Sequence, residues 1–154
     1  MFIREVIEYT HRHDLDLALP FIECCFIETT FSNKKYLIAG MYRIPNTNTN
    51  LFIEKFNEII EPLKSSHEII ILRDFNINLF NDDNNKNMFE YCLQSNYLMP
   101  TILEATRVAT RNNPNGQVVT SETLIDNVLI KANMKHISGL IKTRISDHFP
   151  IYTS

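Results

Sequence analysis

Apolar residues nowhere gather into a run long enough to cross a bilayer; the longest stretches are a few residues and are broken by charges. The start, Met1-Phe2-Ile3-Arg4-Glu5, lacks a basic region followed by an apolar one, so no secretory leader is predicted. Cysteine is scarce. Cys24 and Cys25 are neighbours and Cys92 stands alone, a spacing that argues against a disulfide framework and a zinc site and fits a reducing, intracellular compartment. Basic charge is not in surplus either. The formal net charge is −3, so no global positive field draws in nucleic acid, and the basic residues never cluster into a localisation signal. Internal repeats and linker-like stretches are absent as well.

What is present suits a single domain: 154 residues, 44% of them hydrophobic, are enough to bury a real core. The charge balance is uneven. Between Thr101 and Arg144 six basic residues (Arg107, Arg111, Lys131, Lys135, Lys142 and Arg144) face three acids (Glu104, Glu122 and Asp126), which leaves room for a local phosphate-binding face.

Met1 to Leu19 is polar and weakly patterned, and His11 and His13 within it are read as surface residues with no acidic or cysteine partner nearby. Residues 21–28 and 35–42 are rich in β-formers and are joined by a Ser-Asn turn, which predicts a hairpin that stops at Pro45. The Asn/Thr run from Asn46 to Asn50 supplies helix caps. Leu51, Phe52, Phe56, Ile59, Ile60 and Leu63 then recur at helical spacing, with Lys55 the one polar exception. A second helix is predicted from about Asn85 to Ser95, with Met88, Phe89, Cys92 and Leu93 buried and Asn96 as a left-handed cap. Asp82-Asp83 lacks the glycine and glutamate of a calcium loop and reads as a solvated turn. Further on, Pro114-Asn115-Gly116 marks a turn, and residues 123–130 and 137–145 read as strands. The order predicts a mixed α/β layered domain.

Ile69-Ile70-Ile71-Leu72 ends abruptly in Arg73-Asp74-Phe75-Asn76. The apolar run suits a fully buried strand or a segment of buried helix. If it is a strand, Asp74 and Asn76 project together from its end and can hold a metal, a water or a phosphate; otherwise they are turn residues. Asp126 and Asp147 also stand in apolar surroundings, and His148 follows Asp147 directly. Phosphodiester hydrolysis needs an activated water, a cation for the non-bridging oxygens and a proton or positive charge for developing negative charge. Carboxylates and amides suit magnesium, and an imidazole oriented by a carboxylate supplies the last requirement.

Met41-Tyr42-Arg43-Ile44-Pro45-Asn46, Arg73-Asp74-Phe75-Asn76, Leu124-Ile125-Asp126-Asn127 and Ser146-Asp147-His148-Phe149-Pro150 occur in that order. This ordered set resembles the endonuclease/exonuclease/phosphatase superfamily, and more narrowly the endonuclease domain of non-LTR (LINE-type) retrotransposons. The resemblance covers roughly Phe21 to Tyr152. It implies an α/β (α+β) fold, a four-layered DNase I-like β-sandwich flanked by helices, and a magnesium- or manganese-dependent DNA-nicking hydrolase.

By the same resemblance, Asp74 positions or deprotonates the attacking water and Asn76 orients it. Asp126 holds the imidazole of His148, which stabilises the transition state, and Tyr42 contacts the scissile phosphate. Asn46, Thr106, Arg107, Thr123 and Ser146 are implied to contact substrate, and Asp147 to help bind the metal. DNA is the implied partner, with a parent reverse transcriptase domain, no membrane and a nuclear setting.

Two departures modify these expectations. Arg73 replaces the glycine usual before Asp74, where it would crowd the strand end or pair with Asp74. The family's first strands, with their asparagine and metal-ligating glutamate, are not matched, and Glu5, Glu8, Glu23 and Glu28 lie outside the motif. The chain is therefore expected to lack those strands, to be marginally stable, to bind magnesium weakly and to be impaired as an enzyme. The alternatives are a non-catalytic relic that keeps a phosphate-binding face, or a phosphatase branch of the superfamily. Tyr42–Asn46 and Leu124–Asn127 favour the retrotransposon branch.

Overall fold

In the computed structural model, residues 3–16, 19–143 and 145–154 are described, Arg73 by its backbone alone. Arg144 and the expected effect of the Arg73 side chain on Asp74 lie outside the described residues. The strands in chain order are β1 (Thr10–His11), β2 (Ile22–Phe31), β3 (Lys34–Arg43), β4 (Glu68–Asp74), β5 (Leu98–Pro100), β6 (Arg107–Asn112), β7 (Val118–Thr123), β8 (Asp126–Lys131), β9 (Ser138–Leu140) and β10 (Ile151–Thr153). Two helices, α1 (Thr49–Ile60) and α2 (Asn84–Ser95), separate β3 from β4 and β4 from β5. The main sheet runs β1-β2-β3-β4-β8-β5, while β9–β10 and β6–β7 are two-stranded pairs.

The β2–β3 hairpin is longer than the residue pattern predicts, reaching Phe31 and Lys34. The reason is the turn: Ser32 and Asn33 both have positive φ (48° and 62°), the geometry of a two-residue turn whose twist matches that of the strands. α1 then carries the chain to β4, which pairs parallel to β3. The Asn48 side chain accepts from Leu51 N at 3.1 Å and caps α1, and Phe52, Ile53, Phe56 and Ile60 form its buried stripe.

The run Ile69–Leu72 is a strand, and its burial alternates instead of being complete on both faces. Ile69 and Ile71 are fully buried with Leu37, Ala39 and Met41 of β3, and this face packs against the helices. Ile70 and Leu72 share the other face with Ile38, and all three are only half-buried. β10 lies against β8, where that face is covered and Val128 and Ile130 are buried.

The aromatic centre of the core is Phe52, Phe56, Phe75 and Phe89, with ring centroids from 5.3 Å (Phe75–Phe89) to 6.3 Å (Phe52–Phe75) apart. Truncating any one of them to alanine costs about 3–5 kcal/mol in a core of this kind. Asp83, expected in a solvated turn, caps α2 by accepting from Lys86 N at 2.9 Å. Asn96 is not left-handed (φ −102°); Tyr97 takes that conformation, with φ 57°. Asn96 is instead buried, donating from Nδ2 to Asn57 Oδ1 (2.7 Å) and Cys92 O (2.9 Å), which ties α2 to α1. The strand expected over 123–130 begins at Asp126, and the one expected over 137–145 is confined to Ser138–Leu140. No helix among the described residues is long and apolar enough to cross a membrane.

Candidate active site

β4 and β8 are antiparallel neighbours, and their register sets Asp74 directly opposite Asp126 at one end of the sheet. Side chains alternate along each strand, so both carboxylates share the half-covered face. Tyr42 is on that face too, two residues beyond the Gly40–Leu72 pairing that links β3 to β4, and it stands opposite Glu23 of β2.

His148 completes the cluster. Its Nδ1 lies 2.9 Å from Asp126 Oδ2, with the side chains 36% and 15% exposed. One ligand atom from each of Asp74, Asp126 and His148 falls within 4.8 Å of the others. Burial pushes the Asp74 carboxyl above its usual range; the Asn76 N–H opposes this, Asp126 reinforces it and His148 opposes it. A cation between these carboxylates relieves both burial and repulsion. The oxygen donors therefore fit a hard divalent ion such as magnesium.

The segment carrying His148 is held by the start of β6. Arg107 and His148 form an antiparallel bridge, Val108 N donates to Asp147 O at 2.8 Å, and Phe149 N donates to Thr106 O at 2.7 Å. The Ser146 hydroxyl turns inward on its own loop, donating to His148 O at 2.8 Å and accepting from His148 N at 3.0 Å. Asp147 is exposed and outside the Asp74–Asp126–His148 cluster; its Oδ2 accepts from Arg107 Nε at 2.7 Å. That guanidinium holds the Asp147 carboxyl below the usual range.

β4 ends at Asp74 and Asn76 is left-handed (φ 50°), yet the Asn76 side chain stays within reach of the Asp74 carboxyl and opposes its upward pKa shift. Its N–H donates to Asp74 Oδ1 at 2.8 Å and its Nδ2 to Arg43 O at 2.7 Å. Thr106, expected at the substrate surface, is fully buried, and its hydroxyl accepts from Ile125 N (3.2 Å) and Asp126 N (3.0 Å). Thr123, opposite Arg107 in the β6–β7 pairing, has a buried hydroxyl oxygen with no protein partner. Exposed Asn46, at φ 61°, lines a polar cleft of about 460 Å³ with Arg43, Thr47, Asn76, Asn78 and Asn81, beside the carboxylate pair but not including it.

Three positioning residues were not singled out by the sequence pattern. Arg43, only 3% exposed, donates to Phe75 O (2.7 Å), Asn76 O (2.6 Å) and Thr47 O (3.1 Å) and lies over the Phe52 ring. Burial lowers its pKa, and Asp74 opposes that shift. Asn78 Oδ1 accepts from Leu124 N at 2.9 Å, fixing the approach to β8. Asn127 is buried and holds the strand after α2, accepting from Thr101 N and Ile102 N. Arg43 and Asn127 lie within the ordered motifs and Asn78 two residues after one, which was the only signal available for them.

A sheet with its helices on one face and a carboxylate–histidine cluster at its end is the architecture of DNase I-like hydrolases. Residues 36–152 match the model of the family described as "Endonuclease-reverse transcriptase", and the chain belongs to this family within the endonuclease/exonuclease/phosphatase superfamily. Among solved structures, the chain is similar to the endonuclease domain of TRAS1, a telomere-specific non-LTR retrotransposon. The TM-score is 0.74 at 11% identity, covering 97% of this chain and 68% of that one. It is also similar to Staphylococcus aureus beta toxin (TM-score 0.58, 13% identity, 85% of this chain and 56% of that one). A third is D. rerio TDP2 complexed with a single-strand DNA product (TM-score 0.56, 13% identity, 96% of this chain and 66% of that one). At these identities the likeness is one of fold, and the chain spans between 56% and 68% of these three structures. No curated protein matches it.

Proposed function

We propose that this chain is a metal-dependent phosphodiester hydrolase that nicks DNA, its 154 residues forming a single, partial endonuclease domain. The observation that carries this reading is the His148–Asp126 hydrogen bond beside Asp74, its register partner across β4 and β8. Magnesium, or manganese in its place, would be held by Asp74 and Asp126, with Asp147 joining once released from Arg107; it supplies electrostatic stabilisation of the phosphate oxygens.

The chain's own groups do the rest. Asp126 fixes the His148 ring through Nδ1, which leaves Nε2 to face the phosphate and to carry a proton where negative charge develops. Asp74, opposite Asp126 across β4 and β8, accepts a proton from the attacking water. Asn76 orients Asp74 through its N–H. Tyr42, on the same face, contacts the phosphate, Asn46 and Arg107 line the path of the DNA strand, and Thr123, its hydroxyl buried, backs Arg107 across the β6–β7 pair. Thr106 and Ser146 act through the backbone of the residues they hold. Association with a reverse transcriptase domain and action in the nucleus follow from the same reading.

The test is nicking of supercoiled plasmid with magnesium, beside a His148→Ala control and with folding checked by circular dichroism. Nicking that the control abolishes is the expected result; a folded chain with no nicking overturns it. A second reading, a relic with a phosphate-binding face, is favoured by two observations: Asp147 is tied to Arg107, and the carboxylate–histidine cluster contains no glutamate. Phosphate-dependent binding of DNA without cleavage would select that reading.

A further inference from the structure

At the far edge of the same sheet, β1 lies beside β2 through only two register pairs, Thr10–Glu28 and His11–Ile27. Arg12 N donates to Phe26 O at 2.8 Å and extends the contact. The Arg12 guanidinium is held between Asp14 and Glu28, with Nη2 2.7 Å from Asp14 Oδ2 and Nη1 2.6 Å from Glu28 Oε2. This anchoring presents His11, His13 and Asp16 together. One ligand atom from each falls within 4.8 Å of the other two.

His11 Nε2 is 3.2 Å from Cys25 Sγ, and His13 Nδ1 is 3.3 Å from Asp16 Oδ2. His11 Nδ1 turns to the His13 ring, 2.6 Å from its Nε2 and 2.8 Å from its Nδ1. An imidazole that binds a metal through one nitrogen ordinarily has its other nitrogen held by an acceptor, which fixes the tautomer and the ring plane. His11 already has that arrangement through Cys25, a residue fourteen positions away that the β1–β2 register brings beneath it.

We propose that His11 Nδ1, His13 Nε2 and an Asp16 carboxylate oxygen bind one transition-metal ion of the zinc or cobalt(II) type, with Cys25 as the partner that orients His11. Two imidazoles and a carboxylate leave the fourth tetrahedral position to water. Nitrogens on one tetrahedral zinc, each about 2.0–2.1 Å from it, stand about 3.3 Å apart, so the rings must part by several tenths of an ångström. His13 can make that movement because its side chain is 76% exposed. The bound ion clips the chain after β1 to the sheet edge, where two register pairs otherwise hold it. This site differs from the magnesium-type site in donors as well as place: imidazole nitrogen selects softer ions than carboxylate oxygen alone.

Isothermal titration with zinc and absorption titration with cobalt(II) test the proposal on the full chain. The variants are His11→Ala, His13→Ala, Cys25→Ser and Asp126→Asn, each checked for folding by circular dichroism. The parent should bind one equivalent with a tetrahedral cobalt spectrum, and zinc should raise its melting temperature. His11→Ala and His13→Ala should each lose the site, Cys25→Ser should weaken it by roughly 10–100-fold without changing the stoichiometry, and Asp126→Asn should leave it intact. If His11→Ala fails to fold, the exposed His13 carries the decision. Unchanged affinity in a folded His13→Ala, or no zinc binding by the folded parent, overturns the proposal, including the case in which the two rings merely share a proton.

Discussion

The hydroxyl of Thr106 accepts the backbone N–H of Asp126 at 3.0 Å, while the Thr106 carbonyl accepts the N–H of Phe149, the residue after His148. One buried residue, through its hydroxyl and its own carbonyl, thus sets the spacing between the two members of the carboxylate–imidazole pair.

Thr106→Val keeps the volume and leaves two buried amides without an acceptor. It should destabilise the chain by about 1–3 kcal/mol in urea titration and lower kcat more than it raises KM. Thr106→Ser should restore most of both. A valine variant with full activity would show that the hydroxyl does not position Asp126.

Arg43→Ala removes a buried guanidinium and strands the carbonyls of Phe75 and Asn76. Each hydrogen bond to a charged donor contributes about 1.5–3 kcal/mol, so unfolding should require about 3 kcal/mol less free energy. Arg43→Lys should recover part of this, because an ammonium cannot reproduce the planar fork. Chemical denaturation of the three proteins is the check.

Asp74→Asn should abolish nicking and yet stabilise the fold at neutral pH. The folded-state pKa of Asp74 is raised, so ionised Asp74 opposes folding. That penalty is absent below the unfolded-state value of about 3.9 and grows as pH rises through the higher folded value. The stabilising effect of the substitution should therefore be present at pH 7 and disappear under acid conditions. Equal melting temperatures of parent and variant at pH 7 would contradict the direction of the shift.

Arg107→Gln releases Asp147 from its ion pair. The Asp147 carboxyl should then titrate closer to its usual range, and magnesium affinity should rise several-fold because the ion no longer competes with a guanidinium. Both partners are exposed, so melting temperature should barely change. Magnesium titration of the folded variant at low salt decides it, and weaker binding would place Asp147 outside the metal site.

The sheet was legible in the sequence wherever period and punctuation agreed: Ser32-Asn33 between two β-rich runs, and Phe52, Phe56 and Ile60 at helical spacing. The gathering of Asp74, Asp126 and His148 was not visible in spacing. It was readable only through the order of the motifs, since the β4–β8 register that places Asp74 against Asp126 depends on distant chain. The left-handed turn at Asn76, the burial of Thr106 and the inward side chain of Asn96 were hidden for the same reason. Each depends on a hydrogen-bond partner brought from elsewhere by tertiary packing. His11 and His13 were read as lacking an acidic or cysteine partner; Asp16, three residues after His13, was an acidic neighbour in the sequence, whereas Cys25 comes beside His11 only after β1 pairs with β2.

The β2–β3 hairpin pairs ten residues with ten across a two-residue turn, so its loop closes at little entropic cost and it can form early. β8 reaches β4 only after α2, β5 and the β6–β7 pair have intervened in the chain. The Asp74–Asp126 alignment is therefore predicted to be among the last contacts to form. Substitutions at that alignment should change the rate of unfolding and leave the rate of folding almost untouched.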